Sequence, residues 1–186
     1  MPPRKPNPDK SYFLVGVGGS GMMPLAMIMA GRGARVEGSD RSLDSGSLAS
    51  KFAALEALGI ALHPQDGSGI VSDSQIVVAS AAVEDTIPDI VRATELGCRR
   101  MSRAELNAAL FNGASQSIGV AGTSGKSTVT GMIGWILSAC GRDPTVMNGA
   151  VMKNFARTDA PFASALVGGG DCYVSEVDES DGSIAL

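Results

Sequence analysis

Residues 120–128, VAGTSGKST, include the residue types that a phosphate-binding loop requires. In the pattern G-x-x-x-x-G-K-[ST], backbone amides surround the phosphate oxygens, the lysine reaches the terminal phosphates and the hydroxyl binds Mg²⁺. Gly125, Lys126 and Ser127 match the second half of this pattern. Val120 stands where the pattern has its first glycine. We therefore predict a subtype of loop in which the preceding strand runs straight into the turn.

An acidic segment further along the chain could supply the metal ligand for such a loop. A loop that works on a nucleoside triphosphate needs a carboxylate at the end of a neighbouring strand, and Mg²⁺–phosphate sites use one or two protein carboxylates. Residues 173–181, YVSEVDESD, offer four candidates: Glu176, Asp178, Glu179 and Asp181. We predict a strand that ends at the metal, and the alternative is a solvated acidic turn.

A second glycine-rich loop, GVGGSG at residues 16–21, matches the pattern G-x-G-x-x-G. Gly16 permits a tight turn, Gly18 permits close approach of a pyrophosphate, and Gly21 permits packing between helix and strand. Asp40 follows the next predicted strand, 19 residues after Gly21 (40 − 21). A dinucleotide-binding fold places there a carboxylate that accepts hydrogen bonds from ribose hydroxyls. The pattern alone favours NAD, and the alternative is that these glycines only form a turn.

Strands and helices alternate around both loops. The first part predicts strands at YFLVGV, ARVEGSD and QIVVASA, and helices at GMMPLAMIMAGRG, SGSLASKFAALEALG, PDIVRATELG and SRAELNAALFNG. The second part predicts strands at SIGVAG, PTVMNG and DCYVSEVDESD and a helix at KSTVTGMIGWILSACG. This alternation predicts an α/β fold with mainly parallel sheets. We predict a Rossmann-like domain at residues 1–113, followed by an incomplete P-loop domain at residues 114–186.

Composition excludes several classes of protein. The net charge of −4 and an aromatic content of 4% argue against a nucleic-acid-binding protein, which would use a basic face or stacking aromatic rings. The three cysteines form no C-x-x-C pair, so we predict reduced thiols instead of a zinc cluster or a disulfide framework. No run approaches the roughly 18 apolar residues of a membrane span, and we expect a cytoplasmic protein without membrane partners.

The two loops, in this order and followed by VSEVDESD, resemble the Mur ligase family. FLVGVGGSGMMPLA and VEGSD are similar to the UDP-binding opening of the ligases that act on UDP-N-acetylmuramic acid. VVASAAV and SRAEL are similar to the strand and helix that follow, and GTSGKST is similar to an ATP loop that also lacks the first glycine in this family. The family has three domains, so the resemblance implies that this chain is the N-terminal portion, and we expect a truncated form of the enzyme.

The resemblance implies an ATP- and Mg²⁺-dependent ligase that joins L-alanine, or a related amino acid or peptide, to UDP-N-acetylmuramic acid through an acyl phosphate. Lys126 and Glu176 would be catalytic, and Ser127 and Glu176 would hold Mg²⁺. The implied ATP-binding residues are Gly122, Thr123, Ser124, Gly125, Lys126, Ser127 and Thr128. The implied UDP-substrate residues are Gly18, Gly19, Ser20, Gly21, Met22, Asp40 and Ser80.

One segment and one residue bear on how closely the chain resembles this family. Residues 148–155, NGAVMKNF, are loosely similar to its substrate-facing loop, whereas Ser124 stands where the subgroup often has histidine. His63, the single histidine, is predicted to be structural. Two other functions remain open, an NAD-binding oxidoreductase and a non-catalytic module that binds a UDP-sugar.

Overall fold

The computed structural model describes residues 10–158 and 160–177. Contacts along the chain divide it into two compact units, the first ending at Arg103 and the second beginning at Ala104. The boundary predicted from the sequence, after residue 113, lies one helix further along. As a division between two functional domains, residues 1–113 and 114–186 stay a prediction.

The first unit is a five-stranded parallel sheet with helices. Its strands are β1 (Ser11–Val15), β2 (Arg35–Ser39), β3 (Ala61–His63), β4 (Ile76–Ala79) and β5 (Arg99–Ser102). Its helices are α1 (Met22–Gly31), α2 (Arg41–Asp44), α3 (Ala49–Ala57) and α4 (Pro88–Leu96). All neighbouring strands are parallel, in the order β3-β2-β1-β4-β5. The predicted α/β class and Rossmann-like sheet are confirmed.

The central strands and α1 form because their residues are apolar and can be buried on all sides. Phe13 and Leu14 of β1 and Val78 of β4 are fully buried, as expected for strands covered on both faces. The helix α1 is apolar nearly all round, which is typical of a helix within a core. Pro24 lies in its first turn, where proline is tolerated.

The sequence did not predict the two edge strands or the short helix α2. The edge strands have the sequences ALH and RRMS, and most of their side chains are partly or fully exposed. Edge strands need no apolar run because one side of the strand faces no neighbour, so neither periodicity nor hydropathy reveals them. The helix α2 has only four residues and begins at an Asp40 cap.

The second unit contains α5 (Arg103–Asn112, whose first residue belongs to the first unit), β6 (Gln116–Val120), α6 (Lys126–Ala139), β7 (Thr145–Met147), β8 (Ala165–Leu166) and β9 (Cys172–Glu176). The strand order is β6-β9-β7-β8, with β8 antiparallel to β7 and the other neighbours parallel. The strands predicted before the P-loop, after its helix and at the acidic segment are all present. The two-residue β8 was not predicted.

The helix α5 packs against the second sheet through a buried polar network. Tyr173 donates its hydroxyl hydrogen to Asn107 Oδ1 at 3.0 Å, and Asn107 Nδ2 donates to Ser175 Oγ at 3.0 Å. The rings of Phe111 and Tyr173 meet edge to face at 6.2 Å. These contacts explain why the compact second unit begins at the start of α5, before the predicted boundary.

The helix α6 is covered on one side only by the described residues. Its buried side packs Ile133 and Leu137 against a cluster that contains Val146 and Val174. On the other side Met132 is 61% exposed and Ile136 is 59% exposed. No helix in the part of the chain that the structure describes has the length and apolar character needed to cross a membrane.

Candidate functional site

The first glycine loop is held against the end of β2. Gly16 has φ +77°, a conformation that favours glycine and turns the chain sharply after β1. The amides of Gly16 and Val17 both donate to the carbonyl oxygen of Ser39, at 2.9 and 3.0 Å. The loop therefore begins at a fixed position above the carboxyl ends of β1 and β2.

Asp40 braces this loop with both of its carboxylate oxygens. The amide of Gly18 donates to Asp40 Oδ2 at 2.9 Å, and the amide of Ser42 donates to Oδ1 at 2.8 Å. The residue is 7% exposed. Asp40 thus joins the loop to the first turn of α2. Its predicted contact with the nucleoside of a substrate stays a prediction.

Two of the loop glycines lie close against neighbouring side chains. A β-carbon built on Gly18 would lie 3.0 Å from Asp40 Oδ2 and from ring atoms of Phe52. A β-carbon built on Gly21 would overlap the Arg103 Nη1 atom. The sequence assigned Gly21 to packing between helix and strand, and the structure shows the Arg103 side chain there instead.

The remaining predicted substrate residues occupy different environments. Gly19 and Ser20 are exposed, and Ser80 is half-buried directly after β4. Because the strand order reverses between β1 and β4, their carboxyl ends form the switch point where ligands of such sheets bind. The Met22 side chain is 3% exposed in the core, and its amide donates to the Gly19 carbonyl oxygen. Met22 therefore supports the loop from beneath.

A buried carboxyl group supports the same edge of the sheet. Asp89, fully buried in the first turn of α4, accepts hydrogen bonds from the Ser39 hydroxyl and from the Gly67 amide at 2.9 Å. Burial raises the pKa of Asp89 above its usual value, and these two hydrogen bonds only partly offset that effect. Asp89 ties together β2, the loop after β3 and α4, beneath the first glycine loop.

His63 has the structural surroundings that the sequence analysis predicted. Its Nε2 atom lies 3.1 Å from Glu37 Oε2, and its ring lies 5.8 Å from that of Phe13. Glu37 also accepts hydrogen bonds from Ser11 and Arg35. These contacts hold the edge strand β3 against β2.

The second glycine loop joins β6 to α6. Val120 is the last residue of β6 and pairs with Glu176 of β9, so the position of the missing glycine is a strand residue. Gly122 has φ +141° and Gly125 has φ +78°, and both conformations are unfavourable for other residues. Thr123 and Ser124 between them are exposed. The predicted geometry, a strand running straight into the turn, is present.

Lys126, the first residue of α6, bends back over the loop. Its Nζ atom donates to the carbonyl oxygen of Gly122 at 2.9 Å. This places a positive charge within the concave side of the turn. A phosphate bound by the loop would compete with Gly122 for the ammonium group.

Ser127 and Glu176 are brought together, as the sequence predicted for a metal site. The Ser127 hydroxyl lies 3.0 Å from Glu176 Oε2 and 3.2 Å from Oε1. Both atoms are hard oxygen donors, and one carboxylate with one hydroxyl suits Mg²⁺ bound mainly through phosphate oxygens and water. The residues present therefore fit this ion. The other acidic candidates, Asp178, Glu179 and Asp181, lie outside the described residues.

The sequence analysis missed the contacts that fix this pair. The Gly149 amide donates to Glu176 Oε2 at 2.8 Å. Asn148 is 2% exposed, and its Nδ2 donates to the Ser127 carbonyl oxygen at 3.0 Å. The turn after β7 therefore positions both predicted metal ligands. The sequence analysis assigned these two residues only to a substrate-facing loop, because their contact with the predicted metal ligands depends on strand order.

A groove of about 550 Å³ lies between α6 and residues 148–155, the predicted substrate-facing loop. Ser127 and Thr128 line one part of it, and Trp135 and Phe155, whose rings meet at 5.7 Å, line another. Within the described residues, no cluster of three or more His, Cys, Asp or Glu side chains could hold a metal. A metal at the second loop would therefore depend on few protein ligands.

Comparisons with known proteins agree on one family. The family model described as the Mur ligase family, catalytic domain, matches residues 11–114, more than half of the chain. The UDP-N-acetylmuramate–L-alanine ligase of Synechococcus sp. (strain JA-3-3Ab) is 43% identical over 175 residues, which are 94% of this chain and 32% of that protein. The ligase of the same name from Streptomyces coelicolor is 39% identical over 176 residues, covering 94% and 35% respectively. The chain thus spans about a third of the length of these curated relatives.

Solved structures show the same likeness. The UDP-N-acetylmuramate-alanine ligase of Thermotoga maritima superposes with a TM-score of 0.76 at 26% identity, covering 89% of this chain and 37% of that one. The UDP-N-acetylmuramate:L-alanyl-gamma-D-glutamyl-meso-diaminopimelate ligase of Neisseria meningitides superposes with a TM-score of 0.74 at 25% identity, covering 91% and 53%.

Proposed function

The chain belongs to the Mur ligase family, and we propose that it carries the two nucleotide-binding loops of an ATP-dependent amide ligase of peptidoglycan precursor synthesis. The substrates would be ATP, UDP-N-acetylmuramic acid and an amino acid or peptide. The named relatives support this choice, since one group acts with L-alanine and another with a peptide. We expect the ligase to work in the cytoplasm.

The first loop would bind the diphosphate of the UDP-substrate. Its exposed residues Gly19 and Ser20 lie at the N-terminus of α1, and Gly21 is the N-cap residue of that helix. The partial positive charge at a helix N-terminus favours phosphate groups. Asp40 would keep the loop in its binding conformation, and Ser80 would line the same edge of the sheet.

The second loop would bind the ATP phosphates through residues 122–128. Lys126 would move from the Gly122 carbonyl oxygen to the phosphates and stabilise the charge on the transferring phosphoryl group. Ser127 and Glu176 would hold Mg²⁺, which would supply charge neutralisation at the phosphates. The protein would contribute mainly positioning and charge, without a covalent role.

The proposed reaction forms an amide in two steps. A carboxylate oxygen of UDP-N-acetylmuramic acid attacks the γ-phosphorus of ATP, ADP leaves, and an acyl phosphate forms. The amino group then attacks the acyl carbon, phosphate leaves, and the nitrogen loses a proton. The observation that carries this proposal is the Ser127–Glu176 pair, 3.0 Å apart, beside a phosphate loop. An oxidoreductase would not need a hydroxyl and a carboxylate placed together beside a phosphate loop.

A chimera tests the proposal. Residues 11–177 of this chain would replace the aligned residues of the Synechococcus ligase, and phosphate release would be measured with UDP-N-acetylmuramic acid and L-alanine. We expect release that requires both substrates. Lys126→Ala should lower it by about 100-fold or more, because a preorganised charge at the phosphoryl group is lost.

The controls separate catalysis from folding and binding. Lys126→Ala should leave binding of UDP-N-acetylmuramic acid nearly intact, and Arg92→Ala, on the exposed side of α4, should leave ligation unchanged. Full ligation by the Lys126→Ala chimera would contradict the phosphoryl-transfer role. A chimera that binds the UDP-substrate but never ligates would favour the non-catalytic module.

A further inference from the structure

We propose that Lys51 and Arg103 bind the diphosphate at the first glycine loop, although both lie outside its sequence motif. This inference rests on the proposed function, since it assigns two more residues to the same UDP-substrate site. The two side chains come from separate elements, α3 and the start of α5, and meet the loop at different residues.

Arg103 contacts the loop at its third glycine. The space that a β-carbon of Gly21 would occupy is taken by the Arg103 guanidinium group, with its Cζ atom 3.0 Å and its Cδ atom 3.0 Å from that position. Gly21 is the N-cap residue of α1, so the guanidinium lies beside the first amides of that helix. A guanidinium group presents several donors in one plane and suits two phosphate oxygens at once.

Lys51 contacts the loop at its second glycine. Its Nζ atom donates to the carbonyl oxygen of Gly18, and its side chain is only partly buried. An ammonium group has three donors, so it can keep this bond and still donate to a phosphate oxygen. Lys51 and Arg103 thus flank the exposed residues Gly19 and Ser20.

The loop also has a reason to need added positive charge. The Asp40 carboxylate lies 2.9 Å from the Gly18 amide and would repel a diphosphate placed on the same loop. The chain as a whole is acidic, with a net charge of −4. Two cations beside the loop would offset both effects and leave the Asp40 brace in place.

The test compares UDP with UMP as ligands of the 186-residue chain, because only UDP carries the second phosphate. Calorimetric titrations would use the wild type, Lys51→Met and Arg103→Met, with Arg92→Met as a matched basic control on exposed α4. We expect each loop variant to weaken UDP binding by about tenfold, or about 1.4 kcal/mol. UMP binding should weaken less, and the control should bind both ligands as the wild type does.

The salt dependence provides a second measurement. The UDP affinity of the wild type should fall as ionic strength rises, because salt screens the attraction between the two cations and the diphosphate. A variant that lacks either cation should lose less affinity over the same range. Arg103→Lys keeps the charge without the planar donor group, so it should bind UDP more tightly than Arg103→Met and serves if Arg103→Met fails to fold.

Each result has one meaning. If Lys51→Met and Arg103→Met both bind UDP within twofold of the wild type, the inference is wrong and the proposed function stands. Equal losses for UDP and UMP would also overturn it, since the second phosphate would then play no part. If the folded wild type binds neither nucleotide, the proposed UDP-substrate site itself is wrong.

Discussion

Asp40 and Glu176 are acidic residues at the carboxyl ends of strands beside glycine loops, yet their surroundings differ. Each carboxylate oxygen of Asp40 accepts a hydrogen bond from a backbone amide of the same unit, Oδ2 from Gly18 and Oδ1 from Ser42. Glu176 accepts a hydrogen bond from one backbone amide, that of Gly149, and its carboxylate lies against the Ser127 hydroxyl. Asp40 is thus a brace for a loop, whereas Glu176 has the surroundings of a metal ligand. The sequence analysis located both residues and assigned Glu176 to a metal, but it did not predict that Asp40 braces the loop.

Asp40→Asn should therefore destabilise the chain as well as weaken UDP-substrate binding. An asparagine side chain has one acceptor oxygen, so either the Gly18 or the Ser42 amide would lose its partner. A buried donor without a partner costs about 1–3 kcal/mol of stability. Urea denaturation of the wild type and the variant measures this difference.

The matched control is Asp73→Asn, since the Asp73 side chain is exposed and its hydrogen bond from the Ser72 hydroxyl is long, at 3.4 Å. This variant should unfold as the wild type does. A normal stability for Asp40→Asn, combined with weaker UDP binding, would contradict the bracing role and favour direct contact with the nucleoside.

The sequence predicted the elements that are buried, because buried strands and helices have apolar patterns in their sequences. The strand β1, the helix α1 and the helix that begins at Lys126 were all predicted, because apolar runs and glycine turns mark them. The edge strands β3 and β5 were not, since their side chains remain largely exposed. The Asn148–Gly149 turn could not be assigned because strand order, absent from local sequence, brings it beside Glu176.

Asp89 links three elements of the first unit, and its titration should make stability depend on pH. Its pKa is raised in the folded protein by burial, so above pH 3.8 the folded chain holds this proton more tightly than the unfolded chain. Stability contributed by the protonated form is full below that pH and is lost as the pH rises through the folded pKa. Asp89→Asn removes this ionisation and keeps the shape of the side chain.

Thermal unfolding of the wild type and Asp89→Asn should be followed from pH 4 upward. We expect the melting temperature of the variant, relative to that of the wild type, to increase with pH. Asp66→Asn gives a contrasting control, because hydrogen bonds from Ser68 lower the Asp66 pKa below 3.8. The stability contributed by its carboxylate is therefore already present above that pH, and the melting-temperature difference for Asp66→Asn should stay nearly constant over this range. A constant difference between Asp89→Asn and the wild type at all pH values would contradict the raised pKa.

The chain as a whole combines two α/β units, each with a glycine loop after its first strand. Patterns in the sequence predicted both loops, the α/β class and the family. They did not predict the contacts of Lys51 and Arg103 with the first loop or of Asn148 with the second, because each reaches its loop from a distant part of the chain. The chain spans about a third of the length of its relatives, and one side of α6 is exposed. Ligation is therefore best tested in the chimera. Binding at the first loop can be measured on the chain itself.

Calorimetric titration of the 186-residue chain with UDP-N-acetylmuramic acid, and separately with NADH, is the most direct measurement. We predict saturable binding of the UDP-sugar and none of NADH. Gly18→Val should abolish this binding, because its side chain would displace Asp40 and Phe52 from the loop. Binding of NADH without binding of UDP-N-acetylmuramic acid would contradict the ligase function and favour the oxidoreductase.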